Sequence, residues 1–362
     1  MKLPDPWPDR LSKKSLAGIT LGLAVGAIGG AIAAWAHVPL AWMLGALFFT
    51  MAASLAGAPV AVPTWLRMYF ITLLGLFLGE SFDQISIDDL ARWPITLTGA
   101  ILYCPIGGGI AYLFYRYVAR EERNTAICEA IPGGLSAVVL IANSMGADER
   151  SVALSQSLRI SIVILLAPLI AFGMLGLPAP EADHTSGKLI ISLADFSVLL
   201  AVSMAMILGL AQLGMPLPAL VAPILASAVL RMAGVVEGAL PHWLIEVSLV
   251  VLGSSIGSRF AGVAIRKWLA VAGVTLIGTI ILMGVSFVFA IVMTWLTGIE
   301  LFPLLLAYAP GGVAEMSLIA LAIDADPGFV AVHHVVRITF ILLTLPLFAA
   351  WLVRRRAARA GG

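Results

Sequence analysis

The chain has 362 residues, 61% of them hydrophobic and 11% charged, with a formal net charge of +1 and a mean hydropathy of +1.04. A soluble domain averages about 25% charged residues. These values exclude an ordinary soluble enzyme and a basic nucleic-acid-binding domain, and they define a polytopic membrane protein.

A spanning helix needs about 20 apolar residues. Taken in chain order, apolar segments fall near 15–35, 39–57, 65–82, 94–117, 124–147 and 151–176. A second set falls near 191–213, 216–234, 241–258, 268–296, 301–323 and 328–353. The first segment follows Lys2, Arg10, Lys13 and Lys14, and no small-residue cleavage pattern comes after it. It reads as a retained helix rather than a signal peptide. The polar stretch between the sets, residues 178–190, is the expected linker. It divides the chain into a first membrane repeat, 1–177, and a second, 191–362.

The two halves match in register. Pro39 aligns with Pro216 and Gly57 with Gly234 at an offset of 177. One residue is then inserted, and the offset becomes 178: Trp65 meets Trp243, Gly75 and Gly79 meet Gly253 and Gly257, and Asp148 meets Asp326. Arg159 meets Arg337 and Pro168 meets Pro346 at the same offset. Apolar composition produces chance matches, but not a fixed register of Pro, Gly, Trp, Asp and Arg, so the chain is a tandem duplication.

Within this register Pro132-Gly133-Gly134 recurs as Pro310-Gly311-Gly312, each time inside an apolar segment. Proline removes a backbone donor and clashes with the preceding turn, and glycine weakens the turn after it, so neither segment continues as a regular helix. In hydrocarbon every backbone polar group needs a partner, which confines such a break to the protein interior or a watery cavity. If each broken segment re-enters on its own side, each half crosses five times and the halves are inverted. Cytoplasmic loops are enriched in Lys and Arg. The inverted arrangement places 16 basic residues inside and 3 outside, against 14 and 5 for parallel halves. The expected architecture is therefore all-α, with two inverted repeats of about five spanning helices plus a broken or re-entrant segment.

Candidate site residues cluster around the breaks. Pro132, Gly133, Gly134, Pro310, Gly311 and Gly312 free backbone groups at membrane depth, and the half-helices beyond them direct positive dipole ends at the gap, which suits an anion. Ser136 is a nearby polar contact. Glu315, past the second break, and Glu129, before the first, are carboxylates at membrane depth and hence candidates for ion coupling. Their repeat counterparts are Ala137 and Ala307. Arg159 and Arg337 require a partner or a substrate anion; pairing that locks the fold is the competing reading. His333 and His334 are candidates for proton relay, with a purely hydrogen-bonded helix role as the alternative. Asp148, Asp324 and Asp326 read as helix caps or turn residues. Cys104 and Cys128 read as buried thiols. There is no P-loop, and the scattered remaining histidines, His37, His184 and His242, give no metal-ligand spacing, so no metal or cofactor is expected.

The stretch APGGVAEMSLIALAIDADPGFVAVHHVVRI and its earlier copy IPGGLSAVVLIANSMGADERSVALSQSLRI resemble the bacterial membrane AbrB family, as does PLAWMLGAL at 39–47. Members of that family carry labels such as ammonia monooxygenase or AbrB-type regulator. A more distant similarity is to bile-acid:sodium symporters and cation/proton antiporter-like carriers, in which a Pro-Gly-Gly break precedes an Asp-containing turn, here Pro132 to Gly134 and Asp148. That similarity implies a secondary transporter with crossed broken helices. The expected function is gradient-driven movement of a small organic anion, coupled to protons or sodium. A membrane regulator or sensor is the alternative, and a monooxygenase is less favoured. The expected setting is the bacterial inner membrane with both termini cytoplasmic. The expected partners are a small-molecule substrate and the lipid bilayer, not nucleic acid, with room for a homodimer.

Overall fold

The computed structural model describes residues 13–80, 87–133, 135–174, 189–323 and 325–360. Most of the linker falls outside these residues, as do Gly134 and Asp324. The described residues form fourteen α-helices. The first seven are α1 (Lys13–Trp35), α2 (Ala41–Leu55), α3 (Thr64–Leu78), α4 (Ile87–Leu113), α5 (Arg123–Ala130), α6 (Leu135–Met145) and α7 (Glu149–Pro168). The second seven are α8 (Leu193–Gln212), α9 (Pro218–Met232), α10 (His242–Gly257), α11 (Ile265–Thr297), α12 (Leu301–Tyr308), α13 (Val313–Ala322) and α14 (Pro327–Ala360). Among the described residues seven helices are long and apolar enough to cross a membrane. The chain is an all-α, multi-pass membrane protein.

The helix boundaries repeat at the offsets found in the sequence. Helices α2 and α9 begin 177 residues apart; α4 and α11, α5 and α12, α6 and α13, and α7 and α14 begin 178 apart. Irregular backbone repeats as well. Leu40 and Leu217 precede α2 and α9 in the left-handed region, each with φ of 52°. A leucine there is strained, so its recurrence marks inherited geometry.

The chain packs into two compact units that cut across the repeats. One gathers Met1–Asp83, Leu177–Leu213 and Leu217–Ile265, and so holds the first three helices of each repeat. In it, α3 packs on α9 and α10 packs on α2: the third helix of each repeat lies against the second helix of the other. Four glycines permit this. A Cβ on Gly75 or Gly79 would come within 2.8 Å of the Leu220 carbonyl oxygen or 2.6 Å of that of Ile224. A Cβ on Gly253 or Gly257 would meet the carbonyls of Met43 at 2.3 Å and Leu47 at 2.6 Å. These contacts are related by the duplication, and they are the small-residue crossings that let membrane helices approach closely. The Thr72 hydroxyl donates to the Ala219 carbonyl at 3.1 Å and that of Ser54 to Gly257 at 3.0 Å. Arg231 at the end of α9 pairs with Glu80 at 2.9 Å.

The second unit gathers Gln84–Gly176, Gly214–Pro216 and Arg266–Gly362, and so holds α4–α7 and α11–α14. Both broken segments belong to it.

Candidate functional site

Each Pro-Gly-Gly segment is a helix interrupted and restarted. Helix α5 stops at Ala130, residues 131–133 are non-helical, and α6 starts at Leu135; α12 stops at Tyr308 and α13 starts at Val313. The expected segments 124–147 and 301–323 are therefore each split in two. A helix ending inside the protein leaves carbonyls without partners, and the neighbouring long helix of each repeat supplies them.

In the first copy, Arg159 on α7 donates from Nη1 to the carbonyl of Ile131 at 3.0 Å and to that of Glu129 at 3.3 Å. Gln156 donates from Nε2 to the Cys128 carbonyl at 2.9 Å, and its Oε1 accepts from Arg159 Nη2. In the second copy, Arg337 on α14 donates from Nη1 to the carbonyls of Ala309 at 2.7 Å and Tyr308 at 3.0 Å. His334 donates from Nε2 to the Leu306 carbonyl at 2.9 Å, and its Nδ1 accepts from Arg337 Nη2 at 3.0 Å. A carbonyl only accepts and a guanidinium only donates. His334 is thus a neutral imidazole with its proton on Nε2.

The partner of each buried arginine is consequently a helix C-terminus rather than a carboxylate. Arg159 is 3% and Arg337 2% exposed, and each places its positive charge on the negative end of a half-helix dipole. Among the described residues the Nε–H of each arginine has no hydrogen-bond partner, nor has the buried Ser317 hydroxyl on α13.

The carboxylates occupy opposite helix ends. Glu315, 4% exposed, lies in the first turn of α13. Its carboxylate folds back over Gly312, where an added Cβ would stand 1.9 Å from Oε2. The positive end of α13 favours an anion there. Glu129, 2% exposed, lies in the last turn of α5, where the dipole disfavours one. Among the described residues neither has a salt bridge.

His333 lies between the Phe329 carbonyl at 2.7 Å and the Thr96 hydroxyl at 2.8 Å. Asp148 caps α7 through the amides of Arg150 and Ser151, and Asp326 accepts from Gly328 at 2.7 Å. Both cysteines are buried free thiols. Of the other expected contacts, Pro132 is buried, Gly133 and Gly311 are partly buried at the breaks, Pro310 is buried, and the side chain of Ser136 lies outside the described residues. Among the described residues no three His, Cys, Asp or Glu side chains group as metal ligands.

A cavity of about 470 Å³ lies against the first break. Its floor is Ala130, Ile131 and Pro132, and its walls come from α4 and α14. Sequence reading missed it. The signal was Gly108-Gly109 in α4, where the second copy has Ser286-Phe287.

Fourteen helices among the described residues, arranged as duplicated sevens in which α5–α6 and α12–α13 are two broken segments capped from a neighbouring helix, define a polytopic membrane protein with an internal repeat. The chain belongs to the AbrB family: the model described as "Transition state regulatory protein AbrB" matches residues 42–353. It is 30% identical to "Uncharacterized protein YhjN" of Bacillus subtilis (strain 168), over 90% of this chain and 91% of that one. It is 27% identical to "Putative regulator AbrB" of Escherichia coli (strain K12), over 87% of this chain and 91% of that one.

Proposed function

We propose that this protein is a secondary carrier for a small organic anion in the bacterial inner membrane, with inverted repeats and both termini cytoplasmic. The observation that supports it best is the pair of broken helices, each with its C-terminal carbonyls held by a buried arginine at the same register. Capping each half-helix on the side before the break leaves the positive ends of α6 and α13 directed at the breaks, together with two guanidinium N–H groups that lack an acceptor among the described residues. That is an electrostatic setting for an anion. Glu315 already occupies the pole of α13 and is the coupling carboxylate, taking a proton or sodium ion as cargo binds.

Purified protein screened by thermal shift against organic acids across pH identifies cargo, because a ligand raises the stability of the state that binds it. Counterflow of that compound, labelled, into proteoliposomes then tests carriage. Exchange that collapses with the proton or sodium gradient is expected. A compound that stabilises the protein without crossing the bilayer overturns the carrier reading in favour of a membrane sensor, the reading that the name of the Escherichia coli relative favours.

A further inference from the structure

We propose that the cavity beside the first break binds a water-soluble monocarboxylate with an apolar body, its carboxylate held by Arg123. This deepens the carrier reading by naming a substrate class. The cavity volume, about 470 Å³, is within the range that takes a small organic ligand. Pro105, Phe340, Ile341 and Leu345 present apolar walls, and Arg123, in the first turn of α5, is the single charged residue lining the space among the described residues. Among the described residues Arg123 has no salt bridge. An apolar cleft with one cation suits a molecule with one anionic end and a hydrocarbon remainder; a dianion or a sugar would leave polar groups unmatched against these walls.

The duplication sets these features apart from the second copy. Gly108 and Gly109 have Ser286 and Phe287 as counterparts, and Arg123 has Leu301. The residues that open space and the residue that supplies charge are both confined to one copy. The glycines face the open space: a Cβ on Gly109 would meet nothing within 4 Å, and one on Gly108 only Pro132 Cδ at 3.7 Å and the Ala130 carbonyl at 3.8 Å. Side chains can therefore be added at these positions without backbone displacement, which makes the cavity separable from the fold by substitution.

The test is calorimetric titration of the full chain with octanoate, with octanol as the uncharged control, in detergent and in nanodiscs containing phosphatidylglycerol. Octanoate is expected to bind the wild type in both media and octanol much more weakly. Arg123→Leu should weaken octanoate binding roughly ten-fold or more through loss of a charge-assisted contact. Gly109→Phe should abolish binding with the melting temperature retained. Gly108→Ser provides a second, smaller obstruction and should give an intermediate loss. Octanol binding as well as octanoate overturns the proposal, and so does undiminished binding in Gly109→Phe. Binding in detergent that phosphatidylglycerol eliminates assigns the cleft to bilayer lipid and likewise overturns it. The carrier reading fails separately. If octanoate binds but does not exchange across proteoliposomes, the site stands and carriage falls. If succinate exchanges while octanoate neither binds nor inhibits, carriage stands and this site falls.

Discussion

Gln156 and His334 are different side chains doing the same work. Each sends Nε2 to a carbonyl 28 residues upstream, Cys128 and Leu306 respectively, at 2.9 Å, and each accepts a guanidinium N–H from the arginine three residues later. His334→Gln should therefore retain both bonds and change stability by no more than about 1 kcal/mol, read as the thermal midpoint in detergent. Gradient-driven flux should persist in that variant. Its loss with the fold intact would restore His334 to a proton-relay role.

The arginines are less replaceable. Arg337→Met leaves the Ala309 carbonyl buried without its donor, at a cost of at least about 2 kcal/mol. Arg337→Lys places a point charge where the fork reached two carbonyls and the imidazole at once, and should recover only part of the loss. Thermal unfolding of the wild type, Arg337→Lys and Arg337→Met should rank in that order, and the Arg159 series should follow it. A Lys variant as stable as the wild type would contradict the capping role.

Glu315→Gln should abolish gradient-driven uptake while the melting temperature stays near that of the wild type. Gly312→Ala reaches the same end by another route. The added methyl would displace the carboxylate lying over Gly312, and the moving atoms are the far end of a flexible side chain. Uptake assays on both variants check the assignment. Wild-type rates in either would remove Glu315 from coupling.

Glu121 lies in the connection between α4 and α5, outside the spanning helices. Burial, reinforced by Asp148, raises its carboxyl pKa above the usual carboxylate value. A raised folded-state pKa means that ionisation is harder in the folded protein. The penalty is absent at pH below the unfolded value and is fully felt once pH exceeds the folded one. Glu121→Gln should accordingly raise the melting temperature at neutral pH, and the gain should vanish as pH falls below the ordinary carboxylate range. A gain independent of pH would assign the effect to something other than charge.

The duplication and both breaks were legible in the sequence because proline, glycine and arginine keep their register when aliphatic residues drift. The same register gave the helix boundaries. The partners of Arg159 and Arg337 were not legible: a sequence advertises carboxylates, whereas backbone carbonyls are present everywhere, and only a helix terminus makes one available. Nor was the crossing of the repeats. Gly75, Gly79, Gly253 and Gly257 were visible as matched pairs, yet a small-residue face does not say which helix it meets. The cavity was hidden for a related reason. Comparing copies draws attention to what they share, and Gly108, Gly109 and Arg123 lie where they disagree.

The glycine crossings of α3 on α9 and α10 on α2 bear on how the protein is made. A ribosome delivers α2 and α3 to the membrane long before their docking partners exist, and the grooves at Gly75 and Gly79 wait open until α9 arrives. Neither half is expected to mature alone; inserted separately, the two should be degraded, and synthesised together they should rescue one another.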